Sequence, residues 1–247
     1  MSQVWHDDDE FWAAVEPVLF NPARNAGTAA EIDGVLALSG VAPGARVLDL
    51  GCGPGRASLE LGRRGYVVTG VDRTALYLER GRAAAAAEGL RIEWVLGDMR
   101  RFARSASFEL VTSLFSTFGF FADDAEERAV ARNMAESLAP GGCAVLEMAG
   151  KEIIARIFQP RSWMNGEGAE LLEERSIRPG FAWVDTRWIL HRDGRRYEYP
   201  VSLRLYSGAE LSRLLLESGF SRVELYGSLA GAPYDNEAKR LVAVARK

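Results

Sequence analysis

A chain of 247 residues, 48% hydrophobic and 26% charged, has the composition of one main domain with a substantial core and an added elaboration. Its formal net charge of −4 gives no overall attraction to polyphosphate or an anionic membrane, which disfavours nucleic acid as a partner. No apolar run approaches the roughly 20 residues that span a bilayer, and Asp7-Asp8-Asp9-Glu10 lacks the basic-then-apolar order of a signal peptide. A cytoplasmic protein without membrane association is therefore expected.

In chain order, residues 1–40 carry Trp5, Phe11, Trp12 and Phe20 at spacings that fit one face of a helix. The segment has two readings: packing on the core, or a helical lid that excludes water, with Arg24 or Asn25 reaching a ligand carboxylate. Short apolar strands are then predicted at 46–50, 66–71, 91–96, 109–114 and 144–148, with helices over 56–64, 74–88 and 124–138 between them. Pro140-Gly141-Gly142 stops the last of these helices. Apolar strands separated by helices predict an α/β fold, a doubly wound, Rossmann-like and mostly parallel sheet.

The rhythm breaks after the fifth strand. Turn signals at Pro179-Gly180 and Asp193-Gly194, with Tyr197, Tyr199, Val201, Leu203 and Leu205 alternating, predict an inserted antiparallel β-meander. A helix at 208–218 and strands at 222–226 and 241–245 close the chain. The expected organisation is a helical cap at 1–40, a Rossmann-like domain at 41–159 and 207–247, and an inserted β subdomain at 160–206. Within 161–206, eight arginines face seven acidic residues, so the insertion is no basic patch, and Trp163, Trp183 and Trp188 suit a pocket cover or a homodimer contact.

The first strand runs into Asp49-Leu50-Gly51-Cys52-Gly53-Pro54-Gly55, a turn whose glycines let backbone approach a ligand closely. A dinucleotide fingerprint requires a third glycine where Arg56 stands, and a phosphate loop requires Gly-Lys-Ser/Thr, which is absent. Asp49 would repel a pyrophosphate but suits an ammonium, so a nucleoside carrying an amino acid fits the turn better than a dinucleotide. Asp72 ends the second strand, where an acidic residue takes ribose hydroxyls in Rossmann sheets, and Asp98 follows the third. Either aspartate alone would more often be a helix N-cap. With Asp49 they place three carboxylates at successive strand ends, the edge where such sheets bind ligands.

Val47-Leu48-Asp49-Leu50-Gly51-Cys52-Gly53-Pro54-Gly55, Asp72 and Gly97-Asp98-Met99 together resemble the motifs of class I S-adenosylmethionine-dependent methyltransferases. The resemblance covers about residues 40–150, and 207–246 fit the same family's usual ending. It implies S-adenosylmethionine as cofactor and S-adenosylhomocysteine as product. Asp49, Gly51, Cys52 and Gly53 would hold the methionine part with Arg24, Asp72 the ribose, and Asp98 with the Met99 backbone the adenine. Arg73 would pack its stem on the adenine face, and Leu114 completes the set. The stretch Ser113-Leu114-Phe115-Ser116-Thr117-Phe118-Gly119-Phe120 lacks the Asn/Asp-Pro-Pro-Tyr/Phe signature of enzymes that methylate amino groups of nucleic acids.

Displacement at a sulfonium depends mainly on positioning, and a base is needed only for an acceptor that arrives protonated. The expected acceptor is a small molecule with an oxygen or nitrogen nucleophile, though a peptide terminus would also fit. Candidates to touch it are Glu147, His191, Tyr226 and Tyr234, each of which has an ordinary structural alternative. His6 is the only other histidine and is expected near a mobile terminus. Cys52 and Cys143 read as reduced thiols, and no metal cluster is expected. Two further readings are a nicotinamide-dependent oxidoreductase, opposed by Arg56 and Asp49, and a non-catalytic nucleoside-binding scaffold.

Overall fold

Two sheets, of seven and four strands, organise the computed structural model, which describes residues 4–247. The larger sheet has the order β10-β11-β5-β4-β1-β2-β3. These strands are β1 (Arg46–Leu50), β2 (Val67–Asp72), β3 (Ile92–Leu96), β4 (Phe108–Ser113), β5 (Leu138–Met148), β10 (Arg222–Tyr226) and β11 (Leu241–Arg246). All its pairings are parallel except those of β11, which runs antiparallel to both β5 and β10. The central strands are sheathed on both faces, which is why they read as continuous apolar runs.

Helices α4 (Arg56–Arg63), α5 (Ala75–Ala87), α6 (Asp124–Ser137) and α8 (Gly208–Glu217) stand close to their expected limits. Two elements were not foreseen: α7 (Lys151–Ile157), and an early start to β5. Pro140-Gly141-Gly142 lies inside β5 rather than before it, and the register against β4 shifts between Phe108 and Leu110 to accommodate the irregularity.

The first forty residues serve two layers. Helix α3 (Thr28–Ser39) buries Ile32 and Val35 against Val47, Leu61 and Val145 of the main sheet's core. Helix α1 (Asp9–Leu19) instead buries Phe11, Val15 and Val18 against Ala169, Leu171, Leu190 and Val201 of the smaller sheet. Between them lies the short α2 (Pro22–Ala26), capped by the Asn21 side chain.

The smaller sheet is the inserted meander: β6 (Arg161–Gly166), β7 (Ala169–Ile177), β8 (Trp183–Arg192) and β9 (Arg195–Arg204), each antiparallel to the next. Its apolar face, with Tyr197, Tyr199, Val201 and Leu203 on β9, packs on α1. Trp188 faces inward, whereas Trp163 is 71% exposed on the edge strand β6. No described helix is long and apolar enough to cross a membrane.

Candidate active site

The glycine turn is clamped onto the end of β2, because Gly51 N and Cys52 N both donate to Val71 O at 2.8 and 3.0 Å. Gly51 and Gly53 have φ of 76° and 56°, which glycine adopts without strain. A Cβ on either would stand 3.1 Å from Thr117 or from the Phe20 ring, so both positions keep open a cradle that a side chain would fill.

Asp72 joins this turn to the next helix. Its Oδ2 accepts from Gly53 N and its Oδ1 from Thr74 N, both at 2.8 Å, and it still borders the cavity above the turn. Burial raises its pKa, and the two backbone donors pull the other way. Asp98 also borders the cavity. Burial opposes its ionisation, but the Arg100 guanidinium and backbone N–H outweigh burial and hold its carboxyl below the usual range.

Several expected cofactor contacts are placed elsewhere. Asp49 lies under the turn at 3% exposure, with Oδ2 taking Ser58 Oγ at 2.6 Å and Oδ1 taking Thr112 Oγ1 at 2.9 Å. Both its oxygens are engaged and it has no surface on the cavity, so it holds the turn instead of facing a ligand. The charge argument against a pyrophosphate therefore passes to Asp72 and Asp98, which do face the cavity. Cys52 is buried with its thiol on Gly53 O, and burial pushes its pKa well up. Leu114 belongs to the core around α3. Met99 borders the cavity, but its backbone oxygen is bonded by Asn133 Nδ2.

Arg24 does border the cavity, its guanidinium 4.0 Å above the Phe115 ring and 3.8 Å from Glu31. Phe115 and Ser116 adopt φ of 63° and 59°, an uncommon conformation for side-chain-bearing residues. Glu147 holds them there: its Oε2 accepts from Phe115 N at 2.7 Å, its backbone oxygen accepts from Ser116 N, and its Oε1 pairs with Arg240. Glu147 is thus occupied in shaping the loop and does not border the cavity.

The other three acceptor candidates also lie away from it. His191 sits near the outer hairpin of the meander beside Glu170, with its side chain 46% exposed. Tyr226 packs on the α3 side of the core, and the Tyr234 hydroxyl donates to Glu152 at 2.7 Å. Strand-end position alone suggested these residues; contacts from distant segments account for them.

The N-terminal segment lies along the cavity beside the glycine turn. Trp5, His6, Asp7, Trp12 and Phe20 border the cavity, and the Tyr77 hydroxyl donates to Trp12 O at 2.6 Å. Arg73, expected to cover adenine, commits its guanidinium to this segment, bonding His6 O and Asp7 O and pairing with Asp9 at 3.0 Å. His6 is buried, and burial, only partly offset by Asp7, lowers its pKa, which keeps it neutral near pH 7. Arg73→Ala is expected to speed amide exchange across residues 5–20 by about tenfold or more, since it removes charged donors to two carbonyls. Unchanged protection, read by exchange mass spectrometry, would show that the arginine does not retain the segment.

The cavity, about 420 Å³, continues from the glycine turn to a wall of Met164, Glu173, Arg175, Trp188, Val201 and Leu203 on the meander. Of this wall, Trp188 was expected as a pocket cover and the other five residues were not singled out for it. The alternation along β7 and β8 is a signal for their inward face, but which ligand end that face meets depends on how the two sheets pack.

A seven-stranded sheet with this antiparallel final pair, a glycine turn at β1 and carboxylates at the ends of β2 and β3 are the features of class I S-adenosylmethionine-dependent methyltransferases, and the chain carries a methyltransferase domain of that kind. Residues 47–142 match the family model described as a methyltransferase domain. A putative methyltransferase of Geobacillus sp. strain WCH70 is 24% identical over 213 residues, covering 82% of this chain and 84% of that one. Among solved structures, the CcbJ methyltransferase from Streptomyces caelestis superposes with a TM-score of 0.75 at 25% identity, covering 89% of this chain and 88% of that one. The sugar N-methyltransferase KedS8 from Streptoalloteichus sp. ATCC 53650 shares the fold, with a TM-score of 0.67 at 20% identity and coverage of 90% and 87%. The oxidoreductase and non-catalytic readings are accordingly set aside.

Proposed function

We propose that the chain transfers a methyl group to an oxygen or nitrogen of a small-molecule acceptor, leaving S-adenosylhomocysteine. One observation carries the reading: a single cavity joins the glycine turn to an aromatic and aliphatic wall of the meander under the N-terminal segment. Its volume of about 420 Å³ falls in the range of small-ligand sites. A sugar N-methyltransferase on the same fold supports the same acceptor class.

The charges favour it too. Arg24, Arg73, Arg100, Arg175 and Arg240 border the cavity, and each is paired with a carboxylate, leaving no run of uncompensated cations among the described residues to track a phosphate backbone.

Bound S-adenosylmethionine supplies a methyl group activated by its sulfonium. The open faces of Gly51 and Gly53 admit its methionine part, with Arg24 beside them for the carboxylate. Asp72 would accept from the ribose hydroxyls, and Asp98 from the adenine amine. The residues around the transfer need only hold the acceptor in line and keep water out, because the displacement disperses charge already present.

The test is methyl transfer from labelled cofactor into a panel of amines, amino sugars and phenols, run beside peptides and RNA. Transfer into a small amine or hydroxyl compound is expected. Label entering only peptide or RNA would overturn the small-molecule reading.

A further inference from the structure

We infer that Glu173 docks the acceptor and that the group it receives is an amine nitrogen, an inference that rests on the small-molecule reading above and narrows its substrate class. Along β7 the side chains of Ala169, Leu171 and Glu173 alternate into buried positions. Glu173 pairs in register with Ser162 on one side and Trp188 on the other. A carboxylate thus stands at 6% exposure in a face whose purpose is otherwise apolar packing.

Its two oxygens are used unequally. Ser162 Oγ donates to Oε2 at 2.7 Å and Arg175 pairs with the same oxygen, while Oε1 takes no donor from the described residues. Glu173 and Trp188 also border both the cavity that reaches the glycine turn and a second one, of about 440 Å³, beneath the meander. The free oxygen therefore belongs to a residue at the junction of the two spaces. Of the acidic residues bordering either cavity, Asp7, Asp72 and Asp98 lie at the cofactor end, and Glu173 alone is on the meander wall.

Burying a carboxylate costs several kcal/mol unless it is paired. Arg175 and Ser162 meet that cost at Oε2, which leaves Oε1 for a donor brought by the ligand.

An amine matches this arrangement better than a hydroxyl. Once the ammonium has lost a proton to water, the neutral amine donates its N–H to Oε1 and leaves the lone pair directed elsewhere. On transfer that pair forms the N–C bond as the C–S bond breaks, and sulfur keeps the electrons of the broken bond. The nitrogen becomes cationic, beside the carboxylate and the Trp188 ring, both of which favour a cation more in the transition state than before it. The methylated product leaves as its ammonium, the proton staying on nitrogen. An alkyl hydroxyl would have to lose its proton to react, and a carboxylate is too weak a base to take it.

The experiment is calorimetric titration of the full chain, saturated with S-adenosylhomocysteine, with cyclohexylamine and with cyclohexanol. The amine is expected to bind about tenfold or more tightly than the alcohol, and Glu173→Gln to abolish that preference. Should Arg175 left unpaired unfold that variant, the double variant Glu173→Gln with Arg175→Gln removes both charges together and is expected to show the same loss. Equal binding of the two probes by the wild-type protein, no binding of the amine, or a preference that survives in a folded variant would each overturn the inference. Because this ratio is read without turnover, it separates the two proposals. Methylation of hydroxyl compounds but no amine defeats only the inference about Glu173, whereas label entering only peptide or RNA defeats the small-molecule reading itself.

Discussion

Asp72→Ala is expected to weaken the binding of S-adenosylhomocysteine by about 100-fold, with the chain still folded. The carboxylate holds the glycine turn through Gly53 N and the start of α5 through Thr74 N, and it is the acidic group at the cavity's edge nearest that turn. Each oxygen retains a lone pair for a ribose hydroxyl after accepting one backbone donor. Two charge-assisted hydrogen bonds of about 1.5 kcal/mol each amount to about 3 kcal/mol, or roughly two powers of ten in affinity. Calorimetry on wild type and variant reads the loss directly. A dissociation constant within about threefold of wild type would remove Asp72 from the cofactor site and leave it a purely structural residue.

The second large effect concerns stability and pH. Glu127, in the first turn of α6, is fully buried; its Oε1 accepts from Phe121 N at 2.8 Å, and its Oε2 has no partner among the described residues. Burial pushes its pKa up to about 7, against an ordinary value of 4.5. Below pH 4.5 the folded and unfolded chains both carry the proton, and this group's favourable contribution is complete. Between pH 4.5 and 7 only the unfolded chain has lost it, so stability falls as pH rises, and above 7 the loss levels off at about 3 kcal/mol.

Glu127→Gln keeps an acceptor for Phe121 N and removes the titration. The variant is expected to exceed wild type by about 2 kcal/mol at pH 8, with the difference shrinking towards pH 5. Urea denaturation of both proteins at several pH values reads this difference without interference from other titrating groups. A difference that stays constant between pH 5 and 8 would show that Glu127 does not titrate in that range. Phe121 borders the cavity, so the same variant links the protonation of a core residue to the shape of the site.

The cofactor end of the molecule was legible because its information is local. A strand, a turn with three glycines at positive φ and an aspartate at the next strand end are close in sequence, and the sheet's topology brings them to one edge. The meander was legible for the same reason, through Asp193-Gly194 and the alternation along β9. The acceptor end was not. Glu147 and Tyr234 stood at plausible rim positions, yet Arg240, Phe115 and Glu152, far from them in sequence, take up their polar atoms. Asp49 was rightly placed in the turn but points into Ser58 and Thr112.

The sequence by itself determined the class of fold and the order of the strands' ligand-binding ends, since periodicity, helix stops and glycine turns act within a few residues. Only the tertiary structure decided which side chains face the cavity, because that depends on how α1 and the meander pack over the main sheet. It turned Arg73 from an adenine contact into a tether for the N-terminal segment. It also brought the carboxylate of Glu173, one acidic residue among seven in the insertion, to the wall of the cavity. An inward carboxylate and an outward one look alike in a strand until the partner that buries one of them is known.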